Sequence, residues 1–363
     1  MKKSIKTFFK IGLSSIAKLS SENKAGLLKL FFLSFEEKST YFWGFRSYPK
    51  LATKYNTRMD ELSSLAKVAV VLQGPITTKD DFTLETVRIY RKYYPDMPLI
   101  ISTWDDTNEG LVTQLRNLGV EVVLSKRPEK SGLGNMNFQL VSSQKGILKA
   151  KALGCQYVLK SRSDQRLTKM NAIPYLLSLL ANFQPKNNCL NQRIITHGSS
   201  CPGSMLFPYY ISDFFFFGNI DDMVNLFSIT LSNVSNQDFD WRKKDTFGAT
   251  TRYEFMKKTA PEIEIFRKFI VEKLGLDFQE TVGGYWQFVT DNLITLSTDD
   301  IGLLWPKYDE SRDESNFNPL ISRENKGINQ SQYSWDFMNW LSLYSGQYEV
   351  TKEVEDYRLF EKI

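Results

Sequence analysis

Four short apolar runs recur through the first half of the 363-residue chain: VAVVLQ (68–73), PLIIST (98–103), VEVVLS (120–125) and YVLKS (157–161). The first three are rich in β-branched residues, and all four are short for a helix and end at Gly-Pro or at a polar cluster. Between them lie longer segments with helical spacing of apolar residues, at 80–94, 108–118 and 138–153. Strands that are apolar on both faces and separated by helices pair in parallel through right-handed crossovers. The pattern therefore predicts an α/β fold, with a Rossmann-type, mostly parallel sheet and helices on both faces. Open sheets of this kind bind ligands beyond the carboxyl ends of their strands, so those ends are where chemistry is to be sought.

The strand ends read Gln73-Gly74-Pro75, Thr103-Trp104-Asp105-Asp106, Ser125-Lys126-Arg127 and Arg162-Ser163-Asp164-Gln165-Arg166. No Gly-x-Gly-x-x-Gly follows the first strand and no Gly-Lys-Ser/Thr loop occurs, which counts against a Rossmann dehydrogenase and a P-loop kinase. A sugar nucleotide asks for something else. Its base and ribose need a carboxylate and an amide-bearing wall, and its diphosphate needs charge neutralisation. An acceptor hydroxyl needs a carboxylate base if the anomeric centre inverts.

Gln73, Gly74, Pro75, Asp105 and Asp106 are the candidates for the nucleoside, with helix capping the ordinary alternative for the two aspartates. Asp164 is the candidate ligand for Mn²⁺ or Mg²⁺, hard ions that need few protein ligands; a plain turn is its ordinary alternative. Arg162 and Arg166 flank it as cationic candidates for the diphosphate. Asn137 and Lys145, in the helix before that strand, are candidates for ribose or phosphate contact. The stretch GLGNMN (132–137) is expected to be flexible enough to close over a nucleotide.

Further along, YYISDFFFFG (209–218) reads as a central strand beginning near Asp213 and stopped by Gly218. Pro261 opens a helix, EIEIFRKFIVEKLG, and DNLITLSTDDIGLLW suggests another strand. Residues 308–332 are polar, and SWDFMNWLSLY (334–344) resembles a docking helix. Candidates for the base are Asp213, Asp238, Asp240, Glu254 and Glu262. Burial is expected to raise the pKa of Asp213, whereas a helix N-terminus is expected to favour the ionised form of Glu262.

Charge is unevenly placed. Residues 1–35 hold seven lysines against Glu22, a net +6 beside +5 for the whole chain, so the remainder comes to −1. The body therefore lacks the spread basic face of a nucleic-acid-binding protein, and no nucleic-acid partner is expected. Ile5, Phe8, Phe9, Leu13, Ile16 and Leu19 form one helical stripe edged by Lys2, Lys3, Lys6 and Lys10, and a second patch, LLKLFFLSF, follows at 27–35. Neither run reaches the roughly 18–20 apolar residues that span a bilayer. Both suit a helix lying on an anionic membrane surface, the alternative being packing on the protein or on a partner. A single histidine, His197, disfavours a multi-histidine zinc site. Cys155, Cys189 and Cys201 lack Cys-x-x-Cys spacing and read as free thiols of a reducing compartment.

Taken in order, these elements resemble the WavE lipopolysaccharide-synthesis family, proteins with GT-A-like glycosyltransferase character. The resemblance rests on VVLQGPI (70–76), ISTWDD (101–106), NFQLVSSQKGILKA (137–150), YVLKSRSDQR (157–166) and ISDFFFFG (211–218), and covers about residues 67–305. It implies that Ser-Arg-Ser-Asp occupies the place of an Asp-x-Asp metal motif, with Asp164 the matching carboxylate. The first acidic position is Arg162 here, a departure that bears on metal dependence.

These readings divide the chain into a basic helical segment (1–60), a GT-A-like domain (67–305) and a C-terminal polar loop with a docking helix (306–363). The expected activity is transfer of a sugar from a nucleotide-sugar donor to a growing lipopolysaccharide or capsular polysaccharide. The acceptor would be lipid-linked or an oligosaccharide, and the setting the inner face of a bacterial cytoplasmic membrane. Asp213 or Glu262 would serve as base. The alternatives are a sugar nucleotidyltransferase and a non-catalytic membrane-associated scaffold for polysaccharide assembly.

Overall fold

The computed structural model describes residues 16, 18–36, 48–55, 67–198, 203–238, 248–249, 251–306, 324–325 and 328–360. Residues 1–48 and 49–363 form two compact units. In the first, α1 (Ser21–Glu36) carries exposed Leu27, Leu28, Leu30 and Leu33. The lysine-edged stripe expected from Ile5 to Leu13 lies outside the described residues. No helix among the described residues is long and apolar enough to cross a membrane.

The second unit is built on the four apolar runs. β1 (Val68–Gln73), β2 (Leu99–Trp104), β3 (Glu121–Ser125) and β4 (Tyr157–Arg162) pair in parallel. The crossovers are α2 (Phe82–Tyr93), α3 (Glu109–Asn117) and α4 (Met136–Ala152). Every residue of β1 and β2 is buried, which is why these strands read as continuous apolar runs rather than alternating ones. After the short β5 (Arg166–Leu167) and α5 (Ala172–Asn182) come β6 (Ile194–His197) and β7 (Phe216–Asn219), followed by α6 (Ile220–Phe227), α7 (Arg252–Thr259), α8 (Pro261–Lys268) and α9 (Val282–Asn292). β8 (Leu293–Leu296) completes a seven-stranded sheet of order β3-β2-β1-β4-β7-β6-β8. Within it β7 is antiparallel to both neighbours, so the sheet is mostly parallel, as predicted. The strand expected from Asp213 begins at Phe216, because the preceding turn is held by Thr196 Oγ1, which donates to the carbonyls of Ser212 (3.1 Å) and Phe215 (3.2 Å). A small antiparallel pair joins β5 to β9 (Leu303–Leu304), the latter following the one-turn α10 (Thr298–Ile301).

The order contains a reversal. From β1 the chain steps outward to β2 and β3, then returns to place β4 on the other side of β1. In open α/β sheets, ligands bind at such switch points, beyond the carboxyl ends of the strands. In register, Gln73 lies between Ser102 of β2 and Arg162 of β4. Helix α4 can lie close on this part of the sheet because residue 146 is glycine. A Cβ there would fall 2.4 Å from Val71 Cγ1 and 3.1 Å from Ser102 Cβ.

Both ends of the second unit extend beyond the boundaries drawn from sequence. Residues 49–55 belong to the body: Ala52 N donates to Glu85 (2.6 Å), and Lys92 donates to the carbonyls of Ala52 (2.6 Å) and Tyr55 (3.1 Å). At the other end, α11 (Phe337–Tyr344) docks through the fully buried Trp340, whose Nε1 donates to Leu293 O at 2.8 Å. Helix α12 (Lys352–Phe360) brings Glu355 to the first turn of α9, where it accepts from the backbone of Val282 (3.1 Å) and Gly283 (2.9 Å). Unsatisfied N–H groups at that helix start are thus met from a distant part of the chain.

Candidate functional site

Beyond β4 the chain makes a tight turn that is tied to the tip of β1. Gln165 N donates to Arg162 O (3.0 Å), and Gln165 Oε1 accepts from Arg162 N (3.1 Å) and Ser161 Oγ (2.8 Å). Ser163 N donates to Gln73 O (3.0 Å), and its hydroxyl donates to Pro75 O. Thr83 at the start of α2 completes the link: its hydroxyl donates to Ser163 O (2.8 Å) and accepts from Thr77 N (2.9 Å). Gly74 has φ +109°, a conformation open to glycine and strained for L side chains. Gln73-Gly74-Pro75 and Ser163-Asp164 are therefore one hydrogen-bonded unit at the switch point.

Asp164 receives a two-point contact from Arg162, from Nε to Oδ1 at 2.9 Å and from Nη2 to Oδ2 at 3.2 Å. The guanidinium also lies 5.0 Å from the ring centroid of Trp305. Trp305 packs on Phe214 (4.5 Å), and Phe214 on His197 (5.1 Å), so an aromatic row runs from Arg162 toward the end of β6. His197 is buried, which brings its pKa down to about 4, and its ring is neutral at physiological pH.

A buried charged cluster adjoins this turn. Lys160 is fully buried; its ammonium donates to Asp213 O at 2.8 Å and lies 5.5 and 5.3 Å from the Phe216 and Phe227 rings. Burial brings its pKa down to about 7, while the charges of Asp213 and Asp164 act in the opposite sense. Asp213 is also buried, and its carbonyl accepts from Gln139 of α4. Burial raises its pKa, against the pull of Lys160 and Arg162. The part-buried Glu262, second residue of α8, is pushed up to about 8 by burial and then by the charge of Asp213. The two proposed bases and the proposed diphosphate pair thus share one electrostatic neighbourhood. The expectation that the helix N-terminus would keep Glu262 ionised is corrected. A helix terminus contributes about 0.3–1 kcal/mol, whereas burial shifts of several pKa units are worth more.

Other sequence candidates have different neighbours. Arg166 is fully buried and donates to Pro49 O (3.1 Å), Lys50 O (3.1 Å), Phe82 O (3.2 Å) and Thr86 Oγ1 (3.0 Å), so it fastens residues 49–50 to α2. Asn137 is buried between Lys130 O (2.9 Å) and Ser232 O (2.7 Å) and accepts from Ser232 N (2.8 Å). The GLGNMN loop is pinned too. Gly132 N donates to Val234 O (2.9 Å) and Gly134 N to Asn236 Oδ1 (2.8 Å), while a Cβ on Gly134 would meet Pro261 Cγ at 2.4 Å. The expected free lid is therefore a fastened loop. Lys145 is exposed, next to the Gly146 that packs beneath the middle of β1. Asp105 and Asp106 are exposed at the tip of β2, where Asp106 pairs with Arg127 (3.1 Å). Neither caps α3; Asn108 does, accepting from Leu111 N at 3.2 Å. Asp238 accepts from Ser235 N (2.6 Å) and Glu254 completes a capping box with Thr251, both local roles. Asp240 lies outside the described residues. Even Gln73 is partly committed, its Oε1 accepting from Ser142 Oγ at 2.7 Å.

At Asp164 the donor set is a single carboxylate in two-point contact with Arg162. Both carboxylate oxygens already face the Arg162 guanidinium, and among the described residues no group of three or more His, Cys, Asp or Glu is arranged to hold a metal. Sequence reasoning passed over Lys160 and Trp305. A lysine inside the apolar run YVLKS was a usable signal for the first, since buried lysines are rare unless paired; nothing local marked the second.

No curated protein matches the chain. Among solved structures, a cytidylyltransferase from Leptospira borgpetersenii serovar Hardjo-bovis (strain JB197) is similar at a TM-score of 0.35 and 9% identity, over 77% of this chain and 94% of that one. A mannose-1-phosphate geranyltransferase from Thermus thermophilus is similar at a TM-score of 0.26 and 12% identity, over 38% of this chain and 44% of that one. The description of one protein family, WavE lipopolysaccharide synthesis, matches residues 68–363, from the first residue of β1 through the C-terminal helices. The match runs past residue 305, where the resemblance read from motifs stops, in keeping with the docking of α11 and α12 on the same body. The chain belongs to the WavE lipopolysaccharide synthesis family.

Proposed function

We propose that this protein transfers a sugar from a nucleotide-sugar donor to a growing lipopolysaccharide or capsular polysaccharide. The observation that carries the reading is the shared electrostatic neighbourhood, at the β1/β4 switch point, of the Arg162–Asp164 pair, the buried Asp213 and the part-buried Glu262. A cationic group beside the strand tips suits a departing nucleoside diphosphate, and a carboxylate of raised pKa suits general-base chemistry near neutrality. Family membership supports the polysaccharide setting. Asp213 is assigned as the base, because Glu262, at about 8, keeps its proton at neutral pH.

Saturation-transfer NMR with UDP-, GDP-, CDP- and dTDP-sugars is the direct test. One nucleotide class should bind and be displaced by its nucleoside diphosphate. Asp213→Asn should keep that binding and lose donor turnover by about 10²–10⁴-fold, the usual contribution of a general base. Pyrophosphate release from a nucleoside triphosphate and a sugar phosphate would replace this reading with nucleotidyl transfer. No binding of any nucleotide would favour a scaffold.

The lipid-linked acceptor is proposed to be met at an anionic membrane surface through the basic N-terminal unit, where α1 exposes Leu27, Leu28, Leu30 and Leu33. Deleting residues 2–35 should abolish sedimentation with phosphatidylglycerol vesicles. Equal sedimentation of the truncated and full-length chains would reject this membrane contact.

A further inference from the structure

Resting on the nucleotide-sugar reading above, we propose that a nucleoside diphosphate at the tips of β1 and β4 is charge-balanced by the Arg162 guanidinium without a divalent cation. Asp164 is the positioning residue that aims that guanidinium. Nε and Nη2 of Arg162 each meet a different oxygen of Asp164, at 2.9 and 3.2 Å, so the carboxylate presents a two-point face to a fixed positive charge. A cation bound at the same carboxylate would lie against that charge and be repelled by it. Arginine is protonated throughout the working pH range, so the repulsion is permanent.

The surroundings fix the arginine rather than a metal. Its backbone is locked in the turn by Gln165, and its guanidinium lies over Trp305 at 5.0 Å. Of the neighbouring carboxyls, Glu262, pushed up to about 8 by burial, keeps its proton at neutral pH and would be a poor ligand. A guanidinium, charged at every working pH, is a common partner of phosphate oxygens. The sequence agrees: the position where a metal-binding pair would carry its first acid carries Arg162.

Two arms test the proposal on the full chain. In the first, Mn²⁺ alone is titrated and followed by the EPR signal of the free ion. Wild type and Asp164→Asn should both leave micromolar Mn²⁺ free. Micromolar binding that disappears in Asp164→Asn would overturn the proposal without any nucleotide being present. In the second, UDP, GDP, CDP and ADP are titrated calorimetrically in EDTA and then in Mg²⁺. The diphosphate that binds should do so with Kd values within about threefold in the two conditions, since no charge-assisted contact is removed with the metal. Arg162→Met should weaken it at least about tenfold, with Arg162→Lys in between, and Asp164→Asn should weaken it less than Arg162→Met does. A melting transition matching wild type shows that each variant is folded. Loss of diphosphate binding in EDTA would overturn the proposal. Failure of every nucleotide in both conditions would overturn the nucleotide-sugar reading and this proposal with it.

Discussion

Gly198→Ala is expected to lower stability by about 4 kcal/mol, a shift of about 6 °C in melting temperature for a body of this size. Gly198 follows β6, and its N–H donates to Leu296 O of β8 at 2.8 Å. A Cβ at this position would lie 1.8 Å from the carbonyl oxygen of Trp335 and 2.6 Å from its carbonyl carbon. The obstacle is backbone, so no side-chain rotation relieves it. Trp335 is itself anchored, its N–H donating to Ser204 Oγ (3.1 Å) and its indole to the Tyr285 hydroxyl. The clash should therefore lift the segment that leads into α11, where Trp340 rests against Arg193 (5.6 Å) and Phe183 (5.1 Å). Thermal melts and limited proteolysis near residue 335 report it. A variant melting within about 1 °C of wild type would remove this contact from the account of C-terminal docking.

Glu262→Gln is expected to gain about 3 kcal/mol over wild type as the pH is raised from 5 to 8, with little difference between the two proteins at pH 5. The sign follows from linkage. Glu262 is raised to about 8 in the folded protein against an ordinary 4.5, so between those values the native state holds a proton that the unfolded chain has released. Stability is present below the lower value and is lost as pH rises through the upper one. Glutamine mimics the protonated acid and does not incur that loss. Comparing the variant with wild type is needed because neighbours titrate with the opposite sign. His197, brought down to about 4, and Lys160, brought down to about 7, both add stability as pH rises, across 4–6.5 and 7–10.5 respectively. Asp213, raised by burial, acts in the same sense as Glu262. Urea unfolding at several pH values measures the difference. Parallel curves for the two proteins would mean that Glu262 is ionised in the native state at neutral pH.

Much of the fold was legible because it rests on short-range patterns. Four short apolar runs, each ended by Gly-Pro or polar residues, gave β1 to β4 to within a residue or two, and alternation with amphipathic segments gave their parallel pairing. The strand near 209–218 was the least accurately bounded, since a turn tied by Thr196, distant in sequence, occupies its first half. At the site, the proximity of residues 73–75 to 162–164 followed from one rule about sheet ends. The roles of Arg166 and Asn137 did not, because each is settled by partners far along the chain: residues 49–50 and 82–86 for Arg166, and Ser232 for Asn137.

Read alone, the sequence settled which segments are strands, that they pair in parallel, and where their carboxyl tips fall, since periodicity and punctuation act over a few residues. Which polar groups are consumed as fasteners emerged only from the tertiary structure. It alone brought Lys160, Asp213 and Glu262 together, from β4, the turn before β7 and the start of α8. A side chain's protonation and partners are set by what packs around it, and the groups that do so here are separated by tens of residues.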